Sequence, residues 1–301
     1  MKRLPRAATT LALLVMPMCA SAQELEPGAY WPIPAGLNIV TVVNSFNSGD
    51  LAFDASAPID DASARINTTS FAFTRAFSLA GRSANVGVAL PVIGGHLAGN
   101  YLGEHAEVDR FGLGDPRLRV AMNLYGAPAM TPKEFASYRQ RLLVGVSLSV
   151  VPPLGQYDNT KIINLGTNRW SFKPELGLSF SRGKWVMEFM AGVWMFTDNT
   201  DFVGQRTREQ DPILATQFHL THRFTPGMWL AANANFYTGG RTTVAGRQNL
   251  DLQKNSRIGA TFSKALTRRQ SFRVSFSRGA VTTIGADFNA IAVGYNFAWL
   301  Q

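Results

Sequence analysis

The sequence predicts an all-β protein, a transmembrane antiparallel β-barrel of about twelve strands of the bacterial outer-membrane type. Three observations carry that prediction. Apolar and polar residues alternate with period two again and again, while helical spacing is nearly absent. Most alternating runs reach the ~9–11 residues a tilted membrane strand needs, against ~5–6 for an average globular strand. The connections alternate between short and long, which is how outer-membrane barrels arrange periplasmic turns and extracellular loops.

The runs follow in order. The first three lie at 37–46, 64–79 and 83–93, the last two joined by the short link "AGRS". In "RLRVAMNLY" (117–125), Leu118, Val120, Met122 and Leu124 alternate with Arg117, Arg119, Ala121 and Asn123. In "RLLVGVSLSV" (141–150), Leu142, Val144, Val146, Leu148 and Val150 oppose Arg141, Leu143, Gly145, Ser147 and Ser149. "RWSFKPELGLSFS" (169–181) sets Trp170, Phe172, Leu176, Leu178 and Phe180 against Ser171, Lys173, Glu175, Gly177 and Ser179. The next runs are 184–197 and "ILATQFHLTHRF" (213–224), where Leu214, Phe218, Leu220 and Phe224 oppose Gln217, His219, Thr221 and Arg223. Runs at 228–238, 256–266, 270–279 and 286–300 complete the set. "RGK", "TPG" and "TRRQ" are further short links. The segments 47–63, 94–110, 152–168, 198–211 and 239–255 are long and rich in Gly, Asp and Asn, so they are expected as outer loops. "GAPAMTPKEFASY" (126–138) is an unusually long link on the short-turn side. An even strand number leaves both chain ends in the periplasm.

Alternation also separates two environments. The greasy, aromatic face is expected to meet lipid, and the face carrying Ser, Thr, Asn, Gly, Arg and Glu to meet the lumen. Trp170, Trp185, Phe224, Trp229 and Trp299 sit near run ends, as interfacial girdles do. The closing "VGYNFAWLQ" places Val293, Tyr295, Phe297 and Trp299 on one face, the kind of last strand that barrel assembly machinery engages. Arg75 breaks the pattern, falling beside Phe71, Phe73 and Phe77. Either a bulge shifts the register there, or the side chain lies low enough to reach headgroups.

The N-terminus assigns the compartment. Lys2, Arg3 and Arg6 precede the apolar "AATTLALLVMPMCASA", which ends in Ala20-Ser21-Ala22. This order is that of a secretory signal, residues 1–22, cleaved after Ala22. The single cysteine leaves with it, so the mature chain has no thiol chemistry and no disulfide. The net charge falls from +9 to +6, since three basic and no acidic residues depart. An exported chain does not meet nucleic acid, so the surplus needs another explanation. Beyond the signal, no run approaches ~18 consecutive apolar residues, so helices do not anchor the chain. Residues 23–36 contain Pro27, Pro32 and Pro34, a poor strand and a candidate lead-in or lumen plug; 37–301 are the barrel.

Candidate chemistry is sparse. His219 and His222 are three apart, so a strand points them to opposite faces and they make no metal pair. His96 and His105 share an expected loop with Glu104, Glu107 and Asp109, where a solvated loop is the simpler reading. No histidine stands in a recognisable arrangement with a serine. Gly112-x-Gly114 lacks the following helix that a phosphate loop requires. No catalytic, metal or cofactor site is expected. The informative feature is a charged inner face: Arg117, Arg119, Arg139, Arg141, Lys173, Arg223, Arg257 and Arg273, with Glu175, Glu188 and His219. Inward Arg–Glu ladders rigidify a small barrel, and a positive lumen also concentrates anions. Asp115, in the turn ahead of Arg117, is expected at the pore mouth, paired with an arginine.

Four blocks, "PAGLNIVTVVNSFNSGD" (34–50), "GLGDPRLRVAMNLYGAP" (112–128), "PPLGQYD" (152–158) and "NRWSFKPELGLSFSRGKWVMEFMAGVWMFTDN" (168–199), carry a family resemblance. The chain resembles the outer-membrane proteins of the meta-pathway phenol degradation family, often called simply transporters. The resemblance implies an outer-membrane barrel that passes small, often hydrophobic or aromatic, compounds, and it brings no catalytic residues. The expected function is therefore passive passage of small, aromatic or anionic compounds, with outer-membrane lipid and a small solute as partners. A barrel enzyme acting on lipid and a sealed structural or adhesion barrel are the alternatives.

Overall fold

The computed structural model describes residues 25–52, 59–101, 103–161 and 163–300, so the expected signal and its cleavage point lie outside the described residues. Seventeen strands and one short helix follow in chain order. They are β1 (Leu37–Ala52), β2 (Ile59–Leu79), β3 (Arg82–Tyr101), β4 (Glu104–Leu113), β5 (Arg117–Tyr125), α1 (Pro132–Ser137), β6 (Leu142–Val151), β7 (Ser171–Arg182), β8 (Trp185–Phe196), β9 (Asn199–Phe202), β10 (Arg206–Gln210), β11 (Ile213–Thr225), β12 (Met228–Gly239), β13 (Thr242–Val244), β14 (Arg247–Gln248), β15 (Gln253–Ala265), β16 (Gln270–Val281) and β17 (Gly285–Leu300).

Twelve of the strands close into one antiparallel barrel, in the order β1-β17-β16-β15-β12-β11-β8-β7-β6-β5-β3-β2 and back to β1. Closure satisfies every strand edge at membrane depth, where an open edge has no water to bond. Each of the twelve alternating runs of the sequence forms one wall strand. The alternation sorts as expected: along β7, Ser171, Lys173, Glu175, Gly177 and Ser179 are buried inward while Leu176, Leu178 and Phe180 are exposed to the lipid side. Val293, Tyr295 and Phe297 of β17 are exposed outward in the same way.

The expected long loops depart from the sequence reading. Strands β2 and β3 run 21 and 20 residues, well beyond the ~9–11 that cross a membrane, so their outer ends stand above it. The segment 94–110 is not a loop but a hairpin, with β4 pairing to the outer half of β3. The inner half of β3 pairs with β5 instead, and Gly114-Asp115-Pro116 carries the chain from one to the other. Strands β9, β10, β13 and β14 form a small separate sheet over the same end. The physical reason is that apolar alternation is written by lipid. Above the membrane the outward face meets water and needs no apolar residues, so the ladder continues without the lipid-facing pattern.

The short-turn end follows expectation. Ala80-Gly81, Gly183-Lys184, Pro226-Gly227 and residues 266–269 join hairpins there. The long link between β5 and β6 holds α1, closed by a capping box in which Thr131 and Glu134 satisfy each other's backbone donors. Arg75 meets lipid without a bulge: β1 and β2 stay in register opposite it, and its guanidinium donates to Asn38 Oδ1 at 3.3 Å. It lies four residues from the turn, within reach of the interface. Trp229 corrects the girdle reading. It begins the inward phase of β12 and is only 8% exposed, facing the lumen.

Candidate functional site: the lumen and its inner segment

The chain's own N-terminal segment, residues 25–36, lies against the inner wall. The segment enters at the short-turn end, where Gly36 N–H donates to Ala76 O and Ala35 N–H to Met130 O. Further in, Tyr30 lies across two facing glycines, Gly145 of β6 and Gly177 of β7, which are directly paired in register. A Cβ on Gly145 would come within 2.3 Å of the Tyr30 ring, and one on Gly177 within 2.2 Å. Glycine is thus required there by close approach. The Tyr30 hydroxyl donates to Glu175 Oε1 at 3.0 Å and lies 2.9 Å from Ser147 Oγ. Gly28 N–H donates to Glu188 Oε2 and Glu26 N–H to Gln217 Oε1, each at 3.0 Å.

Charge completes the grip. Glu26 Oε1 receives Arg117 Nη2 at 2.6 Å. Burial pushes the Glu26 carboxyl up, but Arg117, Arg119 and Lys173 together hold it well below the usual carboxylate range. Lys173 Nζ contacts Glu175 Oε2 at 2.8 Å, and the Arg119 guanidinium lies 5.1 Å over the Tyr30 ring. Towards the short-turn end the Trp31 and Trp229 rings meet edge to face at 5.5 Å. Arg223 caps Trp31 at 4.6 Å, and Arg273 caps Trp229 at 5.2 Å. Below them opens a cavity of about 600 Å³ between α1 and two turns. Trp31, Phe135, Tyr138, Arg139, Lys184 and Arg223 are among its lining residues.

The outer end is closed differently. The 152–170 segment folds inward, and Leu165 joins Ala64, Ile66, Ile93, Leu97 and Phe288 in an apolar cluster, with Ile163 packed against it. A second cluster on the wall contains Val151, Trp194, Ile213, Ala215 and Tyr237.

The structure places the expected residues as follows. Arg117, Arg119, Lys173, Glu175, Glu188, His219, Arg223, Arg257 and Arg273 occupy inward strand positions, and Arg117, Arg119, Lys173, Glu175 and Glu188 gather around the N-terminal segment. Arg257 lies farther out and donates to Phe288 O at 2.7 Å, serving the wall. His219 is fully buried, its Nδ1 2.8 Å from Asn233 Oδ1, and Asn233 passes the network on to Thr261 and Ser275. His222 points outward between Trp185 and Phe224. Two placements differ. Arg139 and Arg141 precede β6, which starts only at Leu142, and both are exposed at the short-turn mouth. Asp115 pairs with no arginine; its Oδ1 accepts Gly155 N–H and its Oδ2 accepts Thr167 N–H and Oγ1–H, each at 2.8 Å, stapling the 152–170 segment. His96 and Asp109 face each other across β3 and β4 at 2.9 Å. Among the described residues no group of three metal-ligating side chains occurs.

The sequence marked residues 23–36, through Pro27, Pro32 and Pro34, as a lead-in or lumen plug, but it named neither Glu26 nor Tyr30 as the side chains that hold the segment. The signal that could have found Tyr30 is the inward Gly145 and Gly177, a gap in two successive strands that something large must fill.

Comparison with known proteins agrees with this architecture. A crystal structure of an outer membrane channel from Pseudomonas putida F1 matches with a TM-score of 0.78 and 20% identity, covering 92% of this chain and 100% of that one. The β domain of the Bordetella autotransporter BrkA matches with a TM-score of 0.51 and 14% identity, covering 88% and 100%. At these identities the likeness shows the fold, that of an outer-membrane barrel. No curated protein sequence matches the chain. Residues 45–289 match the profile of a sequence family, so the chain belongs to the family described as "Putative MetA-pathway of phenol degradation".

Proposed function

We propose that the protein is an outer-membrane channel for passive passage of small anionic solutes, aromatic acids among them, held closed in this state by residues 25–36. The carrying observation is the charge of the inner face. Arg117, Arg119, Lys173, Arg223, Arg257 and Arg273 face the lumen from the wall strands, and among the described residues of those strands the buried acids facing them are Glu175 and Glu188, joined by Glu26 of the segment. A narrow, low-dielectric passage with that surplus attracts anions and repels cations. In the closed state Glu26 and Glu175 sit where a passing carboxylate would sit. Displacing the segment would free Arg117 and Arg119 for solute. The cavity at the short-turn mouth fits the same class, since Trp31, Phe135 and Tyr138 offer ring faces beside Arg139, Lys184 and Arg223. The P. putida channel supports the reading by its fold.

Planar-bilayer recording tests it. Protein lacking residues 25–35 should conduct, with a reversal potential on the anion side in a potassium chloride gradient. A second reading, a sealed structural barrel, is favoured by the apolar clusters at the outer end. It would replace the first if the truncated protein, folded by heat-modifiable migration, stayed silent.

A further inference from the structure

The outer loops bury two arginines that the lumen argument does not use. Arg169, just ahead of β7, is 4% exposed, and Arg208, in β10, is 8% exposed. The Arg169 guanidinium lies 4.3 Å over Phe196, and that of Arg208 lies 5.6 Å over Phe202. The pair is joined through the β9–β10 ladder. Arg208 is paired with Asn199, whose Oδ1 accepts Asn168 Nδ2–H at 2.9 Å, one residue before Arg169.

Neither charge is in a contact ion pair, although Asp115 and Asp198 favour the charge of Arg169 from a distance and Asp251 that of Arg208. Among the described residues no carboxylate stands within ion-pair distance of either. Arg169 spends Nη2 on Gln210 Oε1, and its Nε and Nη1 are buried without any partner. Gln210 is itself fixed, its Nε2 donating to Gly240 O at 2.9 Å. The nearby acids are committed elsewhere. Both Asp115 oxygens hold backbone and hydroxyl groups of the 152–170 segment. Asp251 is held by Thr242 N–H at 2.8 Å and Thr242 Oγ1 at 2.5 Å. Asp198 is exposed. Burial, and then the charge of Arg208, pull Arg169 well below the ordinary guanidinium range. Burial pushes Arg208 down to about 10.

Buried guanidinium groups are ordinarily paired, because leaving a charge without one costs several kcal/mol. Two buried guanidinium groups that feel each other's charge, with Nε and Nη1 of Arg169 unpartnered, have the chemistry of an oxyanion site. We propose that Arg169 and Arg208 bind a small dissolved oxyanion, a carboxylate or phosphate, at the outer mouth. Their planar donor arrays suit such groups better than chloride. Their burial beneath the loops excludes a lipid headgroup as the source.

Calorimetric titration of the full mature protein in detergent tests this, at constant ionic strength. Sodium phosphate and sodium benzoate should each bind saturably at one site, sodium chloride should not, and Arg169→Gln should weaken binding at least tenfold. Arg208→Gln should do the same and covers a failure of the first variant to fold, judged by heat-modifiable migration. Crystals soaked in selenate should show an anomalous peak within hydrogen-bonding distance of Arg169 Nε. Absence of saturable binding in the unmodified protein overturns the proposal. So does binding that both variants retain, selenate density at another place only, or a response to anionic phospholipid vesicles but to neither soluble anion.

Discussion

Two segments fill the lumen from opposite ends, and they differ in the balance of what holds them: charged groups of the wall grip the N-terminal segment, and an apolar cluster takes in the outer one. At the short-turn end, residues 25–36 hold to the wall through directional polar contacts: Glu26 to Arg117, Gly28 to Glu188, Tyr30 to Glu175 and Ser147. At the outer end, the 152–170 segment is held by burial of Leu165 and Ile163 against β2, β3 and β17, with Asp115 as a polar staple. A buried leucine contributes ~1.5–3 kcal/mol that salt and pH barely change. A polar contact contributes ~0.5–1.5 kcal/mol net, because the released partners rebond to water. A closure made of such contacts can be exchanged for a solute of similar chemistry, and an apolar one cannot. Under the proposed channel function, the difference would make the N-terminal segment the part to displace.

The largest effect should come from removing that part. Deleting residues 25–35 leaves β1 and the closed wall intact, since strand pairing begins at Leu37. Single-channel conductance should rise at least tenfold, and a variant that folds but conducts no better than the parent would mean the outer closure alone seals the lumen. A smaller change should follow from evicting Tyr30 while keeping the segment. Gly177→Val places a side chain where the ring lies, since even a Cβ would stand 2.2 Å from it. Several-fold more frequent openings are expected in the same recordings. An unchanged opening rate would show that the ring can shift without releasing the segment.

These two experiments address a feature the sequence announced only faintly. The wall was legible because lipid imposes a two-residue rhythm, and Leu118-Arg119-Val120 or Glu175-Leu176-Gly177 carry it openly. The inward charges were legible for the same reason wherever a strand runs through them. Arg139 and Arg141 kept the rhythm on paper, but the chain there is still leaving α1, and no rhythm tells where a ladder starts. Trp229 is an aromatic near a strand end, so composition sent it to the lipid interface, while alternation from Leu230 sends it inward. Asp115 looked like a partner for neighbouring arginines. Its actual partners, Gly155 and Thr167, are 40 and 52 residues away and carry no charge to betray them. The anchoring of Tyr30 is likewise a long-range contact, across more than a hundred residues.

The outer closure provides the next test. Leu165→Ala should cost ~2–5 kcal/mol of loop docking, the usual range for emptying a buried leucine site. Amide exchange across 152–168 should quicken accordingly, while conductance stays near that of the parent as long as residues 25–36 remain. If conductance rose as much as in the truncation, the two closures would not be separable, and the outer loop would share the gate.

The smallest effect is expected from a single polar contact. Glu26→Gln keeps the shape and removes the charge facing Arg117. Both side chains are near a third exposed, so the contact contributes about 1 kcal/mol or less after solvent screening. Openings should become modestly more frequent and less sensitive to salt. The pH dependence has a definite sign. Arg117, Arg119 and Lys173 depress the Glu26 carboxyl below its ordinary value against the opposing effect of burial. Its contribution is therefore fully present above the ordinary carboxylate range and is lost only as pH falls through the depressed value. Opening frequency of the parent should thus be flat from about pH 8 down to about pH 5, where the group stays ionised whether the segment is seated or released. A rise in opening already between those limits, absent in Glu26→Gln, would show that the carboxyl titrates near its ordinary value and that the arginines do not hold it. A rise present in both proteins would assign the sensitivity to another group on the wall, and the polar closure would then depend on more than this one pair.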